Sequence, residues 1–193
     1  STGSQKKFRQ VYRKSLKETL QAAKNDPVDY VSDGFARGDW NGYTKDYDHT
    51  PVDTGVSIGE LERVGEAITS VPAGFTIHKK LERILATKRK ALDSGQGIDW
   101  ATAEALAFGS LLLEGHPIRL SGEDSGRGTF SHRHAVWWNA SSERPEPYTP
   151  LETLGSAKVR FRVYDSPLSE YSVLGFEYGN ALAQPDMLTI WEA

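Results

Sequence analysis

Hydrophobic positions along the chain change their spacing twice. Over residues 5–25, Phe8, Tyr12, Leu16 and Leu20 recur every four residues, with lysines and arginines between them. That period predicts an amphipathic helix, and residues 1–4 before it read as a flexible leader. Residues 33–56 then lose any period and mix glycines, aspartates and a proline with Trp40, Tyr43 and Tyr47. Irregular segments of that length are uncommon unless they are functional or wrap another surface; wrap and lid both stay open. Ser57 with Glu60 three residues later forms a capping box, so a helix follows with Leu61, Val64 and Ile68 on its apolar side and ends before Pro72. Residues 79–92 repeat the pattern through Leu81, Ile84, Leu85 and Leu92, with a stop near Gly95. Asp99 caps a third helix whose packed side is Ala103, Leu106, Ala107, Ser110 and Leu111, ended by Gly115-His116-Pro117. Phe8, Tyr12, Leu61, Leu81, Leu106 and Leu111 are read as packing positions.

After Pro117 the spacing shortens. Ile118-Arg119-Leu120 is a strand candidate running into a polar, glycine-rich loop, and residues 159–164 alternate Val159, Phe161 and Val163 with Arg160 and Arg162. Ser166 is expected to cap a helix with Pro167 in its first position, running to about 183 before Pro185. Leu188-Thr189-Ile190-Trp191 begins a third strand. Strand, helix and strand in this order predict an α/β fold with a parallel sheet. A parallel strand normally needs a covering helix, so the natural chain is expected to continue past residue 193, leaving this domain truncated at its C-terminus. The expected division is 1–56, an N-terminal helical arm with an irregular linker, and 57–193, the partial α/β domain. No internal repeat or low-complexity stretch is evident.

Composition narrows the chemistry. In 193 residues there are 26 acidic and 23 basic side chains, a formal charge of -3. That balance supplies no electrostatic reason for a nucleic acid or an anionic membrane as partner. The sequence has no cysteine, which removes disulfides, thiolate metal sites and cysteine nucleophiles. No apolar run approaches the length of a membrane span, and no signal segment opens the sequence.

Three motifs carry a resemblance. The first is Leu-Ser-Gly-Glu-Asp-Ser-Gly-Arg-Gly-Thr-Phe-Ser-His-Arg-His-Ala-Val-Trp, residues 120–137; the second is Asp-Ser-Pro-Leu-Ser-Glu-Tyr-Ser-Val-Leu-Gly-Phe-Glu-Tyr-Gly, residues 165–179; the third is Leu-Thr-Ile-Trp-Glu-Ala, residues 188–193. In this order and spacing they resemble the transketolase-like pyrimidine-binding domain of the 2-oxoglutarate dehydrogenase E1 family. The resemblance covers roughly the second half of the chain; the earlier helices are similar in layout only.

The resemblance implies thiamine diphosphate as the cofactor and Glu170 as the catalytic residue. A carboxyl group hydrogen-bonded to the pyrimidine ring nitrogen shifts the aminopyrimidine to its imino form, which then serves as the base. A glutamate suits the role because it can hold or share a proton in an apolar pocket. Leu168, Glu123 and His134 are the further cofactor-binding candidates, and Arg119 joins Glu123 and His134 as a candidate for lining the cleft. Out of context, Glu170 would be an ordinary helix N-terminal acid. Glu177 lies two turns further along the same side and is taken as a structural or interface acid.

His132 and His134 at strand spacing would face one side and could hold zinc, but no third ligand lies near, and a hydrogen-bonded histidine lining a pocket is preferred. No metal site is assigned to this chain. Glu123, Asp124 and Arg127 lie at a strand's carboxyl end, where open α/β sheets place ligands, though solvated loop charges fit equally well. Gly122, Gly126 and Gly128 are read as backbone freedom, not a phosphate cradle. Trp137 and Trp138 are read as core or interface, and Lys88-Arg89-Lys90 as a solvated basic face.

No Gly-Asp-Gly motif occurs. The resemblance implies that the diphosphate and its Mg2+ ion are held on a separate, preceding domain, so the fragment is expected to be inactive alone. It also implies a homodimer, a cleft shared with that diphosphate-binding domain, and a lipoyl-bearing E2 succinyltransferase as partner in the tricarboxylic acid cycle. The location would be bacterial cytoplasm or mitochondrial matrix. A 2-oxoadipate dehydrogenase, a non-oxidative 2-oxoglutarate decarboxylase and a non-catalytic assembly module of the same fold are the rivals.

Overall fold

A computed structural model describes residues 2–25, 40, 42–44, 46, 48–141, 145–156 and 158–192. They fall into two units, Ser1–Asn41 and Gly42–Ala193. In the first, α1 (Thr2–Asn25) is helical from Thr2 onward, so the expected leader is part of the helix. Phe8, Tyr12, Leu16 and Leu20 are each more than half exposed, which corrects the reading of Phe8 and Tyr12 as packing positions. Within the helix the stripe brings one-turn neighbours together, as when the Phe8 and Tyr12 rings lie parallel with centroids 6.3 Å apart. Of the irregular 33–56 stretch, residues 33–39, 41, 45 and 47 lie outside the described residues. Those that are described form no regular element apart from a turn at Trp40 and Gly42.

The second unit opens with three helices, each started by a side-chain cap. α2 (Ile58–Thr69) has the full capping box between Ser57 and Glu60. α3 (Lys79–Ser94) is capped by His78 and stops where Gly95 turns left-handed at φ 65°. α4 (Trp100–Glu114) starts where the Asp99 carboxylate accepts from the Thr102 amide at 2.7 Å, and ends at left-handed Gly115. Burial on α4 is broader than the expected stripe: Thr102, Leu106, Phe108, Gly109, Ser110 and Leu112 are covered while Ala107 is exposed. The reason is that α4 is enclosed by more than one neighbour. Phe108 packs on Phe161 of the sheet, centroids 5.7 Å apart. On its other side a Cβ at Gly109 would run into Val64 of α2.

The sheet is parallel, in the order β4-β1-β5. Its strands are β1 (Ile118–Gly122), β4 (Phe161–Asp165) and β5 (Leu188–Trp191), with Ile118 opposite both Phe161 and Leu188. Ile118, Leu120 and Phe161 are almost fully buried with Val64, Leu106, Leu112 and Leu151 in the main core. Between β1 and β4 lie an antiparallel pair, β2 (Trp137–Trp138) and β3 (Pro147–Tyr148), and a short 3-10 helix, Pro150–Leu154. Two-residue strands show no measurable alternation, which is why the sequence did not reveal them. Trp137 fills a second core with Leu81 and Leu85, whereas Trp138 is exposed.

α5 (Glu170–Ala183) follows β4 and begins three residues later than expected, with Ser169, not Ser166, in the capping position. Ser166 is held by the sheet instead: its amide donates to the Gly122 carbonyl at 2.6 Å. Its hydroxyl accepts from the Leu168 amide at 3.3 Å, closing a tight turn through Pro167.

Candidate active site

Parallel strands deliver their following loops to one edge of a sheet, and here that edge gathers most of the charged groups the sequence singled out. β1 ends in the loop that carries Glu123, Asp124 and Arg127; β4 ends in Asp165; α5 starts at Glu170 just after it. The loop is tied down from several sides. The Gly126 amide donates to Asp165 at 2.7 Å, and Arg127 pairs with Asp124 and bonds Ser131. Gly128 takes φ 81° under the His132 ring, leaving no room for a Cβ. Gly122 and Gly126 serve differently from what was expected. Neither is left-handed; the Glu192 backbone crowds the first and the Asp165 carboxylate approaches the second.

An open cleft of about 680 Å³ lies against this edge, lined by Asp124, Arg127, His134, Trp137, Tyr164 and Asp165 together with His78 and Lys80 from the start of α3. His134 is half-buried there in a left-handed conformation, φ 51°, with its Nε2 3.0 Å from the Ser131 carbonyl. Residues 131–136 are not a strand, so the two histidines do not share a face as strand spacing had suggested. Burial depresses the His134 imidazole below its ordinary value, and the Lys88, Lys80 and Arg127 charges add to this; the Ser131 carbonyl opposes it. No cluster of three potential metal-ligating side chains exists among the described residues.

A smaller hollow of about 240 Å³ adjoins across Tyr164 and Asp165 and is lined by Arg119, Ser121, Leu168, Phe176 and Glu177. Glu177 is fully engaged at its floor. Both its oxygens receive Arg119, at 2.6 and 2.9 Å, and one also receives the Ser121 hydroxyl at 2.8 Å. The guanidinium lies over the Tyr164 ring, 4.2 Å from its centroid. Hydrogen bonding to Glu177 raises the Arg119 value against the opposing effect of burial. Glu170, seven residues earlier on the same helix side, is exposed, and no partner for its carboxylate occurs among the described residues. The physical difference is displacement: two turns carry Glu170 about 10 Å along the axis, past the strands that cover Glu177.

Sequence reasoning missed the most heavily bonded side chain of this edge. Arg133 is 7 % exposed and reaches Glu104 of α4, the Ser125 carbonyl and Glu192 after β5. Its carboxylate partners lie 29 and 59 residues away, so no local pattern announces them. Lys88 was also misread. It is buried, with its ammonium donating to the Arg133 carbonyl at 3.2 Å, and burial lowers its value despite Asp99 and Glu104 nearby. The expected solvated face is confined to Arg89 and Lys90, because α3 turns position 88 inward one turn after Leu85 and Ile84.

The family model described as transketolase, pyrimidine binding domain, matches residues 96–193, which hold the whole sheet and α5. The chain belongs to the transketolase pyrimidine-binding domain family. Within that family it is similar to the mitochondrial 2-oxoglutarate dehydrogenase of Saccharomyces cerevisiae, 52% identical over 145 residues, which are 75% of this chain and 14% of the relative. The 2-oxoglutarate dehydrogenase E1 component of Bacillus mycoides is 47% identical over 143 residues, 74% of this chain and 15% of the relative. The corresponding protein of Rickettsia felis is 42% identical over 188 residues, 97% of this chain and 18% of the relative. The chain thus spans less than a fifth of the curated relatives it matches.

Glu170 is flanked by Leu168, 49% exposed, and Tyr171, 88% exposed. The four residues named for the cofactor do not line one hollow: Leu168 faces the smaller, His134 the larger, and Glu123 and Glu170 line neither.

Proposed function

We propose that this domain belongs to the E1 subunit of a 2-oxoglutarate dehydrogenase, which decarboxylates 2-oxoglutarate with thiamine diphosphate and passes the succinyl group to a lipoyl arm on E2. The observation that carries the reading is the contrast on α5: Glu177 is buried and fully bonded, whereas Glu170 stands at the sheet's carboxyl edge with its carboxylate unclaimed. When bound, thiamine diphosphate supplies the acidic thiazolium carbon and the electron sink that decarboxylation requires. Glu170, positioned by the first turn of α5, would meet the pyrimidine ring nitrogen through its carboxyl group, and Leu168 would present an apolar surface to the ring. His134, held below its ordinary value by burial, borders the larger cleft; with Nε2 donating to the Ser131 carbonyl, its neutral ring leaves Nδ1 to accept a hydrogen bond.

The diphosphate and Mg2+ would be held by a preceding domain, and closing that domain, or a second subunit, over the edge would supply the desolvation Glu170 lacks here. The exposed Tyr171, Leu174, Phe176 and Tyr178 of α5 give such a neighbour apolar surface to cover. The mitochondrial and bacterial relatives favour a matrix or bacterial cytoplasmic setting for the parent enzyme. In the full-length protein, Glu170→Gln should cut turnover of 2-oxoglutarate by about a hundredfold or more while the melting temperature stays within a few degrees. Retained turnover would remove Glu170 from the mechanism and favour an assembly module. Assays of the wild type with 2-oxoglutarate and 2-oxoadipate, with and without E2, separate the remaining rivals.

A further inference from the structure

We propose that Arg133 is a positioning residue that fixes the wall of the larger cleft from behind, locking residues 124–136 to α4 and to the end of β5. Its guanidinium uses all three nitrogens. Nε donates to Glu104 at 2.6 Å, Nη1 to the Ser125 carbonyl at 3.0 Å and to Glu192 at 2.6 Å, and Nη2 to Glu192 at 2.7 Å and Glu104 at 3.2 Å. A planar fork between two carboxylates defines both distance and orientation, which a lysine ammonium cannot reproduce.

The backbone around it completes the lock. The amides of Arg133 and His134 both donate to the Arg127 carbonyl at 3.0 Å, and the Val136 amide donates to Gly126 at 3.2 Å. Next to the fork, His134 adopts its left-handed φ of 51°, a conformation that costs free energy unless neighbours impose it. The His134 carbonyl in turn accepts from the indole of Trp137 at 2.8 Å, joining the loop to the second core. With the fork removed, Glu104 and Glu192 would lose the charge that bridges them, with only Lys88 left near Glu104, and the wall would lose its tie to the strand end. The functional consequence rests on the reading of this edge as the active site; the mechanical one does not.

Hydrogen exchange read by mass spectrometry on the full-length protein tests the lock directly. In Arg133→Met, peptides covering 124–136 should exchange on the order of tenfold faster, with α2 and α5 within about twofold of wild type. Should Arg133→Met fail to fold, Arg133→Lys and Glu192→Gln decide the matter, each with a smaller increase confined to 124–136. In the same Arg133→Lys protein, kcat should fall roughly tenfold to a hundredfold with KM within about twofold, as misplacement predicts. Unchanged protection of 124–136, or a uniform increase along the whole chain, would overturn the proposal. Localised loosening alongside full activity of Glu170→Gln would uphold Arg133 as the lock and defeat the Glu170 reading alone.

Discussion

A carboxylate's role depends on what already occupies its oxygens. The two glutamates of α5 show this, since the helix presents them on one side and the sheet claims only one. In Glu177→Gln the Arg119 guanidinium is left without its counter-charge in a site where the side chains are only 16% and 5% exposed. Breaking a covered pair from one side costs about 3 kcal/mol, so chemical denaturation should show a clear loss for Glu177→Gln and almost none for Glu170→Gln. Equal losses would mean that the two positions are alike. His134 carries a second prediction at this scale. Its folded value lies below the ordinary 6.5, so between the two values the unfolded chain binds more protons than the folded one. Its contribution to stability is therefore complete above 6.5 and fades as the pH falls through the folded value. Replacing it, as in His134→Gln, should flatten the dependence of Tm on pH below 6.5, measured against the wild type in one buffer series.

At the scale of elements, close approach decides where helices sit. α2 and α4 meet at Gly109, where a side chain has no space beside Val64. Val64 is fully buried and belongs to the main core, so it cannot move away cheaply. Gly109→Ala should gain helix propensity yet lose about 1–3 kcal/mol to overpacking, lowering Tm. The companion change Val64→Ala should return part of that loss if the contact is the cause. α5 behaves differently. Of its fourteen residues only Val173 and Glu177 are buried, and its aromatic residues face outward. An element so little covered by its own chain gains stability when another surface takes its apolar face.

At the scale of the molecule, the proposed function needs a phosphate site as well as a pyrimidine site, and no Gly-Asp-Gly motif occurs in these residues. A carboxylate in water binds a neutral pyrimidine weakly, because water competes for the same hydrogen bond. Calorimetry on the 193-residue chain with thiamine diphosphate and Mg2+ should therefore show no tight stoichiometric heat; a 1:1 isotherm at micromolar affinity would refute the division of labour proposed here. The parallel sheet and the three capped helices were legible in the sequence because each rests on local chemistry: alternation at Phe161 and Val163, side-chain caps at Ser57 and Asp99, left-handed glycines at 95 and 115. The start of α5 was less so, since Ser166 followed by Pro167 has the local signature of a cap, whereas the Gly122 carbonyl claims the Ser166 amide and the helix begins after Ser169.

The motifs of residues 120–137 and 165–179 determined the family, and hydrophobic period determined the element types, because both are properties of neighbouring residues. Tertiary structure alone decided that Glu177 is spent and Glu170 is not, that Lys88 turns inward, and that Arg133 joins three elements. Those outcomes depend on which distant groups arrive within a hydrogen bond's reach, and a linear pattern carries no record of that distance.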